Sequence, residues 1–390
     1  MTFYKPLLAA ACVTMLNACH LPKRPVTDSE ALELARKIQT SVQLQDRSVL
    51  DSLFDDRLFA AKVVKDVQQE FNLAIAQRAR QSIRQLQLGS VILPTIREGG
   101  DYALLRHYEK DGCQHLLFRL TAAGGDINYH DFELARGQQG VRADDLYIYA
   151  NGTLLTRTFE DSAMEQEVRA KMTDDDRTND DSYRQSGSFL RGGNPEEAWS
   201  RFLQASDKAR KQQKFQRLHV KIALKLGDSA TRAALEEYKT NFPQDPFIWL
   251  DLFKYYAFSS TAQPGNNARA ALDALNGFDR LLPNDPFLDY YRGAIYKTLK
   301  EPAKSREALR RIHAAFPRLG GPIVQLMDNY VQANQPDSAA MLVLEAIRIR
   351  NITPEQLDNI KKIYPVIVPY LKSGQMMPPS KREAIPPSGS

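Results

Sequence analysis

The chain has 390 residues, of which 43% are hydrophobic and 25% are charged, and its formal net charge is +5 at pH 7. These values are ordinary for a globular protein with room for two compact domains, and they exclude a mainly disordered or fibrous chain. The charge is modest for this length and comes partly from Lys5, Lys23 and Arg24, so it gives no reason to expect nucleic-acid binding.

The N-terminus is predicted to be a cleaved export signal. Lys5 precedes an apolar run over residues 7–16 that is too short to span a bilayer. The run continues into Leu-Asn-Ala-Cys at residues 16–19, which resembles the lipobox of bacterial lipoproteins. That resemblance implies removal of residues 1–18 and diacylation of Cys19, which would anchor the chain without a spanning helix. The alternative is an ordinary secretory signal in which the cysteine is incidental.

The residue after the cysteine bears on location. Asp at that position indicates inner-membrane retention in many Gram-negative bacteria, whereas this chain has His20, which favours the periplasmic face of the outer membrane. Residues 19–27 are predicted to be a tether. Only Cys113 lies in the predicted folded part, so no intramolecular disulfide is expected.

Residues 28–160 are predicted to form an α+β domain. Apolar residues at helical spacing predict helices beginning at residue 28 and covering about 48–64 and 67–86. Alternating patterns and turn signals then predict four or five antiparallel strands, the last over 154–156. This order is similar to that of the NTF2-like superfamily, which implies helices packed on the concave face of a curved antiparallel sheet.

The NTF2-like resemblance also implies a pocket between the sheet and the helices, because some members bind ligands there and a few are enzymes. The candidate pocket residues are Tyr129, His130, Tyr147 and Tyr149, with Asp131 beside them. Strand alternation places His130 with Phe132, towards the core or pocket, and Asp131 on the other face, so these two are not a preformed dyad. A hydrogen-bonded core histidine is the simpler interpretation.

Sequence motifs for catalysis and cofactor binding are absent. The chain has no P-loop, dinucleotide glycine motif, nucleophile elbow or metalloprotease helix. We therefore predict no catalytic residue, no metal site and no cofactor other than the covalent lipid.

Residues 161–193 are charged and poor in large apolar side chains, which predicts a solvated linker or an irregular helical connector. The acidic clusters at 174–176 and 180–181 lack the ligand spacing of a calcium loop. At the other end of the chain, residues 373–390 are rich in Pro and Ser and are predicted to be disordered.

Residues 194–372 contain an internal repeat. The phrase at 241–247, Asn-Phe-Pro-Gln-Asp-Pro-Phe, recurs at 281–287 as Leu-Leu-Pro-Asn-Asp-Pro-Phe and in degenerate form at 315–320. Pro283 and Pro317 are 34 positions apart, the length of a tetratricopeptide (TPR) repeat. The longer interval before Pro283 predicts an insertion between two helices.

The residues between these prolines resemble the TPR pattern, in which two helices pack through small and large residues at set positions. The matching residues in chain order are Phe215, Leu218, Ile222, Leu235, Tyr238, Trp249, Leu252, Tyr256, Ala271, Gly293, Tyr296, Ser305, Leu309, Ile312, Ile323, Leu326, Tyr330, Ala339, Val343 and Ala346. Asp289 departs from the pattern, because Trp is usual there. The resemblance implies an all-α TPR solenoid following the α+β domain.

The TPR resemblance also implies a non-enzymatic array whose concave face, lined by the first helix of each repeat, typically binds an extended peptide or a partner helix. Mapped onto this chain, that face comprises Gln216, Val220, Phe247, Leu250, Lys254, Phe258, Phe287, Tyr290, Ala294, Lys297, Val324, Asp328 and Gln332. The residues predicted to bind the partner are Lys254, Phe258, Tyr290, Lys297 and Asp328. For Phe247 and Phe287, packing against the preceding repeat is the alternative.

The sequence thus predicts a lipid-anchored, non-catalytic scaffold whose TPR array binds an envelope protein or one of its peptide segments, without nucleic acid. The alternative is an N-terminal domain that binds a small ligand, or that acts as a hydrolase- or isomerase-like enzyme, with the array as a targeting module.

Overall fold

The structure is a computed structural model. It describes residues 24–65, 72–123, 125–163, 172–258, 264–282, 285–349 and 352–373. The chain divides into two compact units between Asp181 and Ser182. The predicted signal, Cys19 and the tail after residue 373 lie outside the described residues. Within the described ranges, no helix is both long enough and apolar enough to cross a membrane.

The first unit contains helices and one antiparallel sheet. Its helices are α1 (Asp28–Gln43), α2 (Ser48–Asp51), α3 (Asp56–Val63), α4 (Asn72–Gln85), α5 (Leu88–Arg97) and α6 (Leu155–Ala163). Its strands are β1 (Asp101–Lys110), β2 (Cys113–Thr121), β3 (Ile127–Gly137), β4 (Gly140–Ile148) and β5 (Thr153–Leu154). The strands pair in chain order, each antiparallel to the next.

The hairpin between β1 and β2 follows from its turn residues. Asp111 and Gly112 both have positive φ, 53° and 77°, as a tight hairpin turn requires. The turn sets the pairing of Tyr108 with His115, and a register shift between Leu104 and Arg106 interrupts it further along the strands. The Asp-Gly turn therefore fixes the position of the hairpin, whereas the register shift in β1 depends on how this strand pairs within the sheet.

One face of the sheet packs on helices α1, α2 and α5. The shared core contains Ala31, Leu34, Ile38, Ile92, Phe118, Phe132 and Leu146, among other buried residues. A second core joins α3 and α4 through Phe59, Val63, Ile75, Ala79 and Ile83. The alternation of apolar residues in β2 and β3 thus gives the sheet a helix-covered face, as expected for an α+β fold.

Two local predictions for this unit were wrong, and one helix was missed. The helix predicted over 48–64 is interrupted, because Asp55 N–H donates to the Ala143 carbonyl (3.2 Å) and Ala143 N–H donates to the Leu53 carbonyl (2.9 Å). The last strand ends at residue 154, because the backbone N–H and hydroxyl of Thr156 both donate to buried Asp145 (3.1 and 2.6 Å) as α6 begins. The sequence did not predict helix α5, because Pro94 and its β-branched neighbours are poor helix formers. Burial of Ile92 stabilises this helix.

The second unit is helical throughout its described residues, and helix α7 contains the boundary between the units. Its helices are α7 (Asp174–Arg191), α8 (Pro195–Phe202), α9 (Asp207–Arg210), α10 (Gln213–Leu226), α11 (Asp228–Asn241), α12 (Pro246–Phe258), α13 (Pro264–Leu281), α14 (Leu288–Thr298), α15 (Pro302–Ala315), α16 (Gly320–Gln332), α17 (Pro336–Arg348), α18 (Pro354–Ile363) and α19 (Val368–Ser373), with a 3-10 turn at Pro365–Ile367.

Helices α10 to α17 pack as four consecutive pairs, at the repeats predicted from the sequence. Within the third pair, Gly293 lets the two helices approach closely, because a Cβ there would lie 2.5 Å from Leu309 Cδ2. The insertion predicted in the second pair partly extends α13, which begins at Pro264; residues 259–263 lie outside the described ones. The predicted fold class, α+β followed by an all-α array of TPR-like pairs, is confirmed by this order.

The segment 161–193 was predicted to be a solvated linker or an irregular helical connector, and its second half forms the regular helix α7. Tyr183, Phe189 and Leu190 of α7 pack against the buried cluster that contains Phe202 and Phe215. These apolar side chains are few but recur on one side of the helix, where a packed neighbour covers them. The charged composition of the segment therefore concealed a helix that forms part of the second unit.

Asp245 connects the first two repeats. Its Oδ1 accepts the Phe247 N–H (3.1 Å) at the start of α12. Its Oδ2 accepts from Gln213 Nε2 (2.9 Å), from Arg217 Nη2 (2.6 Å) and from the Tyr238 hydroxyl (2.5 Å), which belong to both helices of the preceding repeat. One carboxylate, 7% exposed, thus caps a helix and bonds it to its neighbours.

We predict that Asp245→Ala destabilises the array by about 3–5 kcal/mol, because it leaves Arg217 half-buried and uncompensated. The control Asp207→Ala removes an exposed partner of Arg210 and should cost less than about 1 kcal/mol. Urea unfolding of both variants measures the difference, and Arg217→Met in the Asp245→Ala background should restore part of the loss. Equal, small effects of both Asp variants would contradict this role.

Candidate functional site

The predicted pocket residues lie on two different faces of the sheet. Tyr129, Tyr147 and Tyr149 form one aromatic group, with ring centroids 5.7 Å apart for Tyr129–Tyr149 and 4.9 Å for Tyr147–Tyr149. His130 points to the opposite, helix-covered face, where it lies against Phe132. The structure therefore brings the three tyrosines together and separates the histidine from them.

His130 is a hydrogen-bonded core residue. Its Nδ1 lies 3.1 Å from the Tyr102 hydroxyl and its Nε2 lies 3.2 Å from Asn128 Nδ2. Asn128 Oδ1 already accepts the N–H groups of Tyr129 and Ala150, so the Asn128 amide is the donor towards Nε2. This assigns the imidazole proton to Nδ1, which then donates to Tyr102. Burial lowers the pKa of His130 to about 4.

Asp131 forms a cluster on the tyrosine face that the sequence did not predict. The Tyr108 hydroxyl donates to Asp131 Oδ2 (2.5 Å), and His115 Nδ1 lies 3.2 Å from Oδ1. The Tyr108 and His115 rings stack at 5.0 Å, and the Arg106 guanidinium lies 4.4 Å from the centre of the Tyr108 ring. Burial and the Asp131 charge raise the pKa of Tyr108.

The negative charge of Asp131 is compensated within this cluster. Both carboxylate oxygens of Asp131 have donors, and the side chains of Asp131 and His115 are only 11% and 10% exposed. A general base needs access to substrate as well as a suitable partner. The geometry therefore favours a structural role, fixing the β1–β2 hairpin on β3. The pairing of Tyr108 with His115 was available from the Asp-Gly turn, but the face that they share with Asp131 depends on the register of β2 with β3.

A second charged cluster surrounds Lys62. Its Nζ lies 2.5 Å from Glu133, 3.3 Å from Asp144 and 3.9 Å from Asp145. Burial raises the pKa of Asp144 to about 6 despite the nearby ammonium group. In the part of the chain that the structure describes, no group of three or more His, Cys, Asp or Glu side chains is arranged to hold a metal ion.

A cavity of about 490 Å³ lies elsewhere in the first unit, along α4. It is lined by Gln77, Arg80, Gln81, Arg84 and Gln85. None of the predicted pocket residues is among them. Two of its arginines bind Asp56, with Arg80 Nε at 3.0 Å and Arg84 Nη2 at 2.5 Å. The cavity and the sheet tyrosines are therefore separate features.

The predicted partner-binding residues of the array remain partly accessible where the structure describes them. Lys254 and Tyr290 are half-buried. Lys297 Nζ and Asp328 Oδ2 form an ion pair at 3.0 Å that joins α14 to α16, with side chains 39% and 30% exposed. The side chain of Phe258 lies outside what the structure describes. The surface thus includes a lysine, a tyrosine and an ion pair on the first helices of three consecutive repeats.

Much of the face mapped from the family is buried. Gln216, Val220, Phe247, Leu250 and Phe287 are all below 5% exposure. Gln216 hydrogen-bonds to Glu237 and Asn241 of α11, and Phe247 packs on Tyr238 of the preceding repeat, as its alternative interpretation predicted. At these positions the side chains are used for packing within and between repeats, so they do not form an accessible surface.

The C-terminal segment contributes a residue that sequence mapping missed. The Tyr364 hydroxyl, at the end of α18, donates to Asp328 Oδ1, the carboxylate that also pairs with Lys297. Asp328 on α16 therefore bonds to Tyr364, which follows α18, as well as to Lys297 on α14 of the preceding repeat. Only the fold could reveal this, because Asp328 and Tyr364 are distant in sequence and share no motif.

Comparisons with known proteins give one structural match to report. No protein-family model matches the sequence, and no curated protein matches it significantly. Among solved structures, the chain is similar to a thermophilic TPR protein from Thermus thermophilus, with 18% sequence identity and a TM-score of 0.29. The match covers 48% of this chain and 98% of that protein. This TM-score is too low to support a shared architecture, so the repeat architecture rests on the helix pairs described above.

We predict that His130 makes the first unit sensitive to acid. The unfolded chain protonates histidine near pH 6.5, whereas the folded unit holds His130 neutral to about pH 4. The associated stability is complete above pH 6.5 and is lost as the pH falls towards 4, by about 3 kcal/mol in all. His130→Gln should flatten this dependence in chemical unfolding. An imidazole NMR titration of His130 with a midpoint near 6.5 would disprove it.

Proposed function

We propose that this protein is a non-catalytic scaffold that binds another protein through the first helices of its TPR-like repeats. The observation that supports this is the accessible row formed by Lys254, Tyr290 and the Lys297–Asp328 pair, which crosses three repeats. Side chains from consecutive repeats form a continuous contact surface in stacked arrays. Tyr and cationic residues are well suited to such a surface.

The internal organisation of these repeats supports a binding role. The large apolar side chains of α12 and α14, such as Phe247 and Phe287, are used for stacking. Lys254, Tyr290, Lys297 and Asp328 remain accessible beside exposed Val324, so the surface combines charged, aromatic and apolar groups. The tyrosine and histidine residues of the first unit are held in hydrogen bonds and ring contacts, which fits a supporting domain.

To test the scaffold, crosslinked complexes are captured from membranes with the wild type and with Lys254→Glu/Tyr290→Ala/Lys297→Glu. We expect the triple variant to lose at least one envelope protein that the wild type retains, because both cations are reversed and the aromatic contact is removed. The matched control is Arg269→Glu/Arg348→Glu, which reverses two exposed cations on the second helices of repeats.

The control variant should capture the same proteins as the wild type, and circular dichroism should give similar unfolding temperatures for all three. Identical partners in the triple variant and the wild type would reject the proposed binding surface. Loss of the same partner in the control would instead indicate a general effect of charge.

We also propose that Cys19 anchors the protein to the periplasmic face of the outer membrane. The support is the lipobox-like sequence at 16–19 and His20 after it. We expect the wild type to fractionate with outer membranes and Cys19→Ser to lose that association, because the acyl chains supply the membrane affinity. Mass spectrometry of the mature N-terminus checks the modification. An unmodified N-terminal cysteine in the wild type would refute the anchor.

A further inference from the structure

The segment from Asp207 to Lys225 is the most basic part of the array. It contains seven Lys and Arg residues and a single acidic residue, Asp207, so its net charge of +6 exceeds the +5 of the whole chain. Asp207 is paired with Arg210, and Arg217 is paired with Asp245. The remaining five positive charges belong to lysines.

Three of these lysines lie on one side of α10. Lys214, Lys221 and Lys225 are separated by seven and four residues, which places them in a row along the helix. Lys214 and Lys225 are exposed and have no ion-pair partner among the described residues. Leu224, between them, is 44% exposed. We call Lys214, Lys221, Leu224 and Lys225 the α10 basic face.

Two of the lysines are held at defined positions by aromatic rings. Lys214 Nζ lies 5.3 Å from the centre of the Tyr183 ring, and Lys221 Nζ lies 6.0 Å from that of Phe247. Lys221 is half-buried, and burial lowers its pKa, although Asp251 acts in the opposite direction. Ordered cations fit the recognition of carboxylates at set positions better than the diffuse attraction of a membrane surface.

The charge arrangement disfavours the isolated helix. The first turn of α10 has no acidic residue and instead carries Lys214, just after Lys211. Cations near the positive end of a helix are destabilising. Incoming carboxylates along the face would relieve this repulsion while pairing with the lysines.

The spacing along the helix limits the kind of partner. Seven residues separate Lys214 from Lys221, a rise of about 10.5 Å. In an extended polyproline-type segment, side chains three residues apart lie on the same side and are separated by about 9.3 Å. A segment with an acidic residue at every third position therefore matches these two cations, and Leu224, beyond Lys221, is available for an apolar group that follows the second acidic residue.

We propose that the α10 basic face binds an extended acidic segment of the partner protein, with carboxylates about three residues apart. This rests on the proposed scaffold function and adds the chemical character of the partner. The α10 basic face belongs to the first helix of the first repeat and is a separate surface from the row that contains Lys254 on α12.

The test uses the full chain and a fluorescein-labelled peptide of repeated Glu-Pro-Pro units, with Gln-Pro-Pro repeats as the neutral peptide. Binding of the acidic peptide should weaken at least about tenfold in Lys214→Gln/Lys225→Gln and should fall with added salt. The matched control Arg269→Gln/Arg348→Gln removes two exposed cations elsewhere in the array and should change binding less than about twofold. Neither pair of changes removes a buried contact, and thermal unfolding checks that both variants fold.

Equal weakening in the two variants, or equal binding of the Glu and Gln peptides, would overturn the inference. So would binding of phosphatidylglycerol vesicles through the same lysines without binding of the acidic peptide, because that result assigns the face to a membrane surface.

Membrane capture with Lys254→Glu/Tyr290→Ala/Lys297→Glu reports separately on the scaffold. If that variant loses its partner while the Lys214→Gln/Lys225→Gln changes leave binding of the acidic peptide unaltered, the scaffold function is supported and the acidic-segment inference is wrong. If that variant keeps all partners, the scaffold itself fails, whichever peptide binds.

Discussion

The buried carboxylate of Asp245 is the contact on which the repeat array depends. A charge removed from water must be paired, and here four donors from three helices meet its two oxygens. The position and direction of α12 are therefore tied to α10 and α11. The next junction repeats the capping contact, because Asp285 Oδ1 accepts the Phe287 N–H at 2.9 Å, and Phe278 stands where the first junction has its tyrosine.

The use of aromatic residues for stacking determines what remains for binding. Phe247 and Phe287 follow the two capping aspartates and are buried, so the accessible side chains of the first helices are mostly polar. The same division appears in the first unit, where His130 is used in the core and Asp131 is satisfied by Tyr108 and His115. His130 and Asp131 thus contribute to the stability of the fold.

The sequence predicted best where structure is encoded over short distances. The Asp111-Gly112 turn specified a hairpin, and the recurring Asp-Pro-Phe phrase specified where α12 begins. It predicted poorly where a distant partner decides the outcome. Residues 53–55 leave the helix because Ala143 offers backbone hydrogen bonds, and α5 forms despite Pro94 because the sheet covers its apolar side.

The candidate sites follow the same division. By itself, the sequence determined the α+β-then-repeat order and the position of the hairpin turn at Asp111-Gly112, since period and turn chemistry are local properties. Only the tertiary structure decided that His130 and Asp131 are already satisfied, that Gln216 and Leu250 are buried, and that Tyr364 reaches Asp328. These depend on helix rotation and strand register, which are set by packing between segments far apart in the chain.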